Sequence, residues 1–170
     1  MVTLPTRLHY ARLSWEVGTL LFAASAHGLA VVSFAQNLQD FLRCHPRKWR
    51  SIVWREDALG LRDYREALRK WLVTLEGELP FPLDMRGSDF QKEVWRALQT
   101  IPRGSVRTYG QVAREIGQPS AVRAVAQACA ANPLALVIPC HRVVRSDGSL
   151  GGYRWGQRRK RLLLQHESRL

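Results

Sequence analysis

Two capping boxes constrain the second half of this chain more than any other feature. Ser88 with Gln91, and Thr108 with Gln111, each place a hydroxyl and a reciprocal amide three residues apart. That spacing satisfies the orphan N–H groups at a helix start. The first box predicts a helix from about Asp89 to Thr100, with a core face of Phe90, Val94, Trp95, Leu98 and Ile101, stopped by Pro102-Arg103-Gly104. The second predicts a short helix ending at Gly117, a residue suited to the position after a helix. A third helix is expected from about Ser120 to Ala130, stopping at Asn132-Pro133. Short helices joined by a tight glycine-containing turn form the helix-turn-helix pattern.

The first half reads differently. Gly18–Ala24 and Gly28–Phe34 are apolar runs around Ser25-Ala26-His27-Gly28, as in a hairpin. From Ala58 to about Leu75, the residues Leu61, Tyr64, Leu68, Trp71, Leu72 and Leu75 recur at helical spacing, and Glu76-Gly77-Glu78 ends that helix. Phe81-Pro82-Leu83-Asp84-Met85 then crosses as an extended segment. Two domains are expected, residues 1–85 and 86–170. Beyond the helix-turn-helix, Leu134–Ile138 reads as a short buried strand delivering Pro139-Cys140, and His141–Val144 as its extended continuation. A last helix is expected from about Gln157 to His166, its start basic at Arg158, Arg159, Lys160 and Arg161.

Charge separates the halves. Residues 1–85 carry 11 Lys and Arg against 9 Asp and Glu, a balance of +2; residues 86–170 carry 15 against 5, a balance of +10. A basic module on a near-neutral one points to a polyanionic partner, with a merely solubilising surface as the bland alternative. No run approaches the roughly 18 apolar residues of a membrane helix. Met1–Arg7 lacks the order of an export signal, so the expected location is the cytoplasm. Cys44, Cys129 and Cys140 are three, widely spaced and without a C-x-x-C pair, which argues against a disulfide framework and a metal site.

Cys140 is the candidate nucleophile. A thiol reacts as thiolate, and an unperturbed cysteine near pKa ~8.5 is only a few per cent ionised at neutral pH. Cys140 and His141 could not face each other on a regular strand, but Pro139 leaves room for a turn or a bridging water. An inert buried cysteine remains the competing reading.

The run Pro139-Cys140-His141-Arg142-Val143, with Asn132-Pro133 upstream, resembles the acceptor motif of the O6-alkylguanine-DNA alkyltransferases. The resemblance extends through Phe90-Gln91, Val94-Trp95, Ile101-Pro102, Tyr109-Gly110, Ala121-Val122-Arg123-Ala124-Val125, Gly152-Tyr153 and His166-Glu167. The stretch from Ala121 to Trp155 especially resembles the C-terminal module of the bacterial adaptive-response regulator. That regulator's zinc-binding and regulatory modules have no counterpart in this sequence.

The resemblance implies an α/β (α+β) protein, with an N-terminal ribonuclease-H-like scaffold and a mostly helical C-terminal domain. It implies stoichiometric, self-inactivating transfer of an alkyl group, mainly methyl, from guanine O6 to Cys140, with thymine O4 an open second substrate. His141 would be the base through a bound water and Glu167 its orienter, in the logic of an activated nucleophile. Asn132 would brace the turn, and Tyr109 would hydrogen-bond the guanine. Arg123, Tyr109, Ala121, Ala124 and Arg142 would meet duplex DNA through the minor groove, with Arg123 filling the gap left by a flipped nucleotide. Val143, Tyr153, Arg154 and Trp155 would form the base pocket, Arg154 and Trp155 narrowing it towards small alkyl groups. No cofactor and no metal are implied. The chain is expected to act as a monomer, with cooperative assembly along DNA left open.

Three rival readings carry their own signals. A non-reacting binder of alkylated DNA would lack the acceptor cysteine. A helix-turn-helix regulator would need long polar side chains where Ala121–Ala130 has small ones and Arg123. A cysteine hydrolase would need an oxyanion-hole motif.

Overall fold

The computed structural model describes residues 7–169. The N-terminal residues before Arg7, read above for an export signal, lie outside them. The chain folds as two compact units, Met1–Arg86 and Gly87–Leu170.

The first unit contains β1 (Arg7–Trp15), β2 (Gly18–Ser25), β3 (Gly28–Phe34), α1 (Leu38–Cys44), a 3-10 turn (Arg47–Ser51), β4 (Val53–Glu56) and α2 (Arg62–Thr74). Its sheet has the order β3-β2-β1-β4; the first three strands form an antiparallel meander and β4 runs parallel to β1. Ser25 pairs with Gly28, which leaves Ala26-His27 as the two-residue hairpin turn. Gly28 has φ +129, and a Cβ there would stand 2.1 Å from the Pro82 carbonyl oxygen. Only glycine permits that approach, which lets the Leu29 N–H donate to Pro82 O (2.9 Å) and the Asp84 N–H to Leu29 O (2.8 Å). The core packs Leu8, Leu21, Ala23, Val31, Phe41 and Trp49. The stripe on α2 buries Leu68 and Leu72, and the helix stops where Leu75 adopts a left-handed cap at φ 53.

The second unit contains α3 (Asp89–Gln99), β5 (Arg107–Thr108), α4 (Tyr109–Glu115), α5 (Val122–Ala131), a 3-10 turn (Cys140–Arg142), β6 (Val143–Val144) and α6 (Gln157–Arg169). Both capping boxes form, with the Gln91 N–H donating to Ser88 Oγ (3.2 Å) and the Gln111 N–H to Thr108 Oγ1 (3.1 Å). The α3 stripe is buried at Val94, Trp95 and Leu98, and the Trp95 indole donates to Ala128 O (2.9 Å), tying α3 to α5. Between α4 and α5, Gly117 takes φ +72.

Two expectations fail in this unit. Leu134–Ile138 is a tight turn, in which the Ile138 N–H donates to Leu134 O (2.9 Å) and Leu136 sits at φ 70. His141–Val144 is a 3-10 turn followed by a two-residue strand parallel to β5. An apolar run reports burial, and all of these residues but half-buried Val137 are buried; the conformation of Leu134–Ile138 is set by Asn132, which bonds the turn from within.

Candidate active site

The local backbone explains why Cys140 points where it does. Pro139, at φ −80 and ψ 60, makes an inverse γ-turn in which the Cys140 N–H donates to Ile138 O (2.8 Å). The Arg142 N–H then donates to Pro139 O (2.9 Å) and closes the 3-10 turn. Fully buried Asn132 braces this path, accepting from the Leu134 N–H (2.8 Å) and donating to Ile138 O (2.9 Å) and to Cys140 Sγ (3.3 Å). One side chain therefore sets both the turn and the environment of the sulfur.

Behind the sulfur lies a buried ionic cluster. His141 Nε2 meets Glu167 Oε1 at 2.6 Å, and the Arg142 guanidinium donates to both Glu167 oxygens and to Ile101 O (2.7 Å). Burial alone would raise the Glu167 carboxyl, but hydrogen bonds and charge from His141 and Arg142 outweigh it and hold the group at about 2. Burial lowers the His141 pKa despite the pull of Glu167, so the ring is neutral. An ionised carboxylate only accepts, so the proton of the neutral ring belongs on Nε2. Nδ1 is then the basic nitrogen, and it is buried with no hydrogen-bond partner among the described residues. Arg142, expected to meet DNA, is instead 6% exposed and engaged with Glu167 and Ile101.

In front of the sulfur is a cavity of about 450 Å³ lined by Tyr109, Val122, Arg123, Ala126, Cys129, Ala130, Cys140, Arg145, Gly152, Tyr153 and Arg154. Tyr109 arrives as the first residue of α4, directly after β5. Gly151, at φ +68, allows the loop to pass so close that a Cβ there would stand 3.1 Å from Tyr109 Oη. Arg154 reaches the Ala130 carbonyl at the end of α5. On α5, Val125, Ala128 and Cys129 are buried while Val122, Arg123, Gln127 and Ala130 are exposed. This resolves what helical pattern left open: α5 packs with one face and offers the other.

Of the expected pocket residues, Tyr153 and Arg154 line the cavity, whereas Val143 and Trp155 do not. Val143 is fully buried in β6, and Trp155 packs edge-on against Tyr153, with ring centroids 5.1 Å apart. Ala121 and Ala124 are half-buried at the start of α5, near Arg123. Two residues passed over in the sequence belong here. Cys129 lines the cavity, and Lys160 is fully buried. Lys160, Leu163 and Glu167 share one helical face, a signal that a reading of four consecutive basic residues obscures.

Electrostatics set the resting state. Burial pushes the Cys140 thiol up, while the Asn132 donor, the Lys160 ammonium and the Arg154 guanidinium pull it down. Tyr109 is pushed up to about 12, chiefly by burial, and stays a hydrogen-bond donor. The site can thus hold a neutral thiol beside a neutral imidazole base, facing a cavity with a phenolic donor. Among the described residues no helix is long and apolar enough to cross a membrane, and no cluster of three or more His, Cys, Asp or Glu is placed to hold a metal.

Comparison with known proteins points one way. Residues 89–169 match the family model described as the 6-O-methylguanine DNA methyltransferase DNA-binding domain. The bifunctional transcriptional activator/DNA repair enzyme Ada of Escherichia coli is 42% identical over 165 residues, 95% of this chain but 46% of the relative. The chain thus spans about half the length of that relative. The methylated-DNA–protein-cysteine methyltransferase of Mycobacterium bovis is 36% identical over 160 residues, 94% of this chain and 92% of its own length. The crystal structure of Mycobacterium tuberculosis OGT in complex with DNA superposes with a TM-score of 0.78 at 36% identity, covering 95% of this chain and 93% of that one.

Proposed function

From the premise that this chain belongs to the 6-O-methylguanine-DNA methyltransferase family, we propose that it repairs DNA by moving the O6-alkyl group of guanine onto Cys140. The reading is carried by one observation: the 2.6 Å contact between His141 Nε2 and Glu167, which leaves Nδ1 of the residue next to Cys140 buried, basic and without a partner among the described residues.

Cys140 Sγ attacks the alkyl carbon. A carbon–sulfur bond forms as the carbon–O6 bond breaks, and that electron pair returns to the guanine ring. The thiol proton passes through a bridging water to His141 Nδ1, which Glu167 keeps in the right tautomer and Arg142 helps to anchor. Tyr109 offers its hydroxyl proton to the anionic guanine. Asn132 holds the sulfur in line. A thioether has no good leaving group, so each molecule reacts once and needs no cofactor.

The alkyl group lies inside the duplex, and the nucleotide must turn out at a cost of a few kcal/mol. Arg123, exposed at the cavity rim, suits the gap, and the small residues Ala121 and Ala124 suit close approach in the minor groove. The partner is double-stranded DNA, and the site of action is the cytoplasm. Arg154 restricts the cavity towards methyl and small alkyl groups; rapid reaction with free O6-benzylguanine would overturn that preference.

The test is a duplex with labelled O6-methylguanine, followed by peptide mass spectrometry. One methyl on Cys140, absent in Cys140→Ala while DNA binding persists, is the expected result. Label released as methanol with continuing turnover would sink the reading.

A further inference from the structure

Lys160 lies on α6 in the run Arg158-Arg159-Lys160-Arg161, yet it alone of the four is buried, with no exposed surface. Its three N–H donors meet three backbone carbonyls: Val143 in β6, Leu150, and Gly152 at 3.3 Å. The ammonium also lies 6.0 Å from the centre of the Tyr109 ring. These contacts join the strand that follows the acceptor turn to the glycine loop that walls the cavity. On the same helical face, seven residues on, Glu167 holds the side chains of His141 and Arg142.

We propose that Lys160 is a positioning residue for the acceptor: its buried ammonium gathers the Val143, Leu150 and Gly152 carbonyls, which fixes the Gly152–Arg154 wall and holds a positive charge near Cys140. Burial lowers the Lys160 pKa; a neutral amine has only two N–H donors, so the three carbonyls oppose that loss and favour the charged form. The charge also has few competitors. The titratable and charged groups coupled to Cys140 are Tyr109 from α4, Cys129 from α5, Tyr153 and Arg154 from the loop, and Lys160, while Arg123 and Arg145 line the same cavity. The neighbouring His141 is neutral and bonded to Glu167. Burial pushes Tyr109, Cys129 and Tyr153 up, so these are neutral at pH 7. Arg154 and Lys160 remain as the cations that favour the thiolate.

This role rests on the alkyl-acceptor reading, but it can be measured without DNA. Iodoacetamide alkylates thiolates, and peptide mass spectrometry separates Cys140 from Cys44 and Cys129. The rate at Cys140 is followed against pH in the wild-type chain, Lys160→Met, Lys160→Gln and Lys160→Arg, each checked for a cooperative melt. In Lys160→Met the midpoint should move up by about one pH unit, a roughly tenfold slower reaction at pH 7. Lys160→Arg should restore most of it. Lys160→Gln keeps two donors without the charge; it should show the same upward move and serves if Lys160→Met does not fold. A folded Lys160→Gln or Lys160→Met with an unmoved midpoint overturns the proposal. A wild-type chain that fails to accept methyl from DNA, yet shows these shifts, would overturn the repair reading and leave Lys160 in its role.

Discussion

The first unit closes over Leu8, Leu21, Val31, Phe41 and Trp49, and its buried polar residues Ser33, His45 and Arg86 are scattered over a strand, a helix end and its last residue. The second unit buries Asn132, His141, Arg142, Lys160 and Glu167: four of them form or bond the turn that carries Cys140, and Lys160 ties down the strand and loop beside it. Replacing a buried ionic cluster with apolar residues of similar volume is often neutral or stabilising. Stability therefore does not explain the second arrangement. What it gains is a fixed tautomer, a fixed carboxylate and a fixed loop around one sulfur.

The contrast can be broken experimentally, and the largest effect is expected at Glu167. Glu167→Ala leaves Arg142 and His141 buried without their carboxylate, and should destabilise the second unit by about 3–5 kcal/mol in urea unfolding. A loss below about 1 kcal/mol would mean that the cluster is far wetter than its burial indicates. Acid should act on the same residues. With Glu167 held at about 2 against 4.5 for the free carboxyl, its contribution is whole above about pH 4.5 and is lost as pH falls towards 2. His141 adds to the trend, because its lowered pKa means that the unfolded chain takes up a proton below about pH 6.5 that the buried ring refuses. The second unit should thus lose stability on acidification before the first, as followed by amide exchange in each.

In the first unit, Ile52→Val trims an apolar contact and should cost about 0.5–1.5 kcal/mol, with the Cys140 alkylation rate unchanged. A changed rate would show that the units do not act independently. The smallest effect on stability, within about 0.5 kcal/mol, is expected for exposed Arg123→Ala. That variant should nonetheless lose about tenfold or more in reaction with duplex DNA while keeping its rate with a free O6-alkylguanine base. Equal losses on both substrates would make Arg123 structural.

The legible parts of this sequence were the local ones. Both capping boxes span four residues and appear as read. The hairpin around Ala26-His27 and the stripes of α2 and α3 followed from short-range periodicity. By contrast β4 is four residues long and is defined by pairing with β1 more than forty residues earlier, so no local signal announced it. Leu134–Ile138 resembled a strand because it is apolar throughout, yet Asn132 folds it into a turn. Arg142 was expected at the DNA surface, and no local signal showed that its partner Glu167 lies 25 residues away. The candidate acceptor Cys140 was singled out by its pentapeptide; the buried ions around it were not.

The face of α6 that carries Lys160, Leu163 and Glu167 works as a measuring rod. Seven residues separate the two ions, a rise of roughly 10 Å and close to two full turns. One residue inserted between them would rotate Glu167 by about 100° around the helix, so that the rod could hold the loop or the histidine but not both. Length between Lys160 and Glu167 is therefore a quantity this fold cannot vary, whereas exposed Asp147 and Gly148, at the tip of the preceding loop, carry no such gauge.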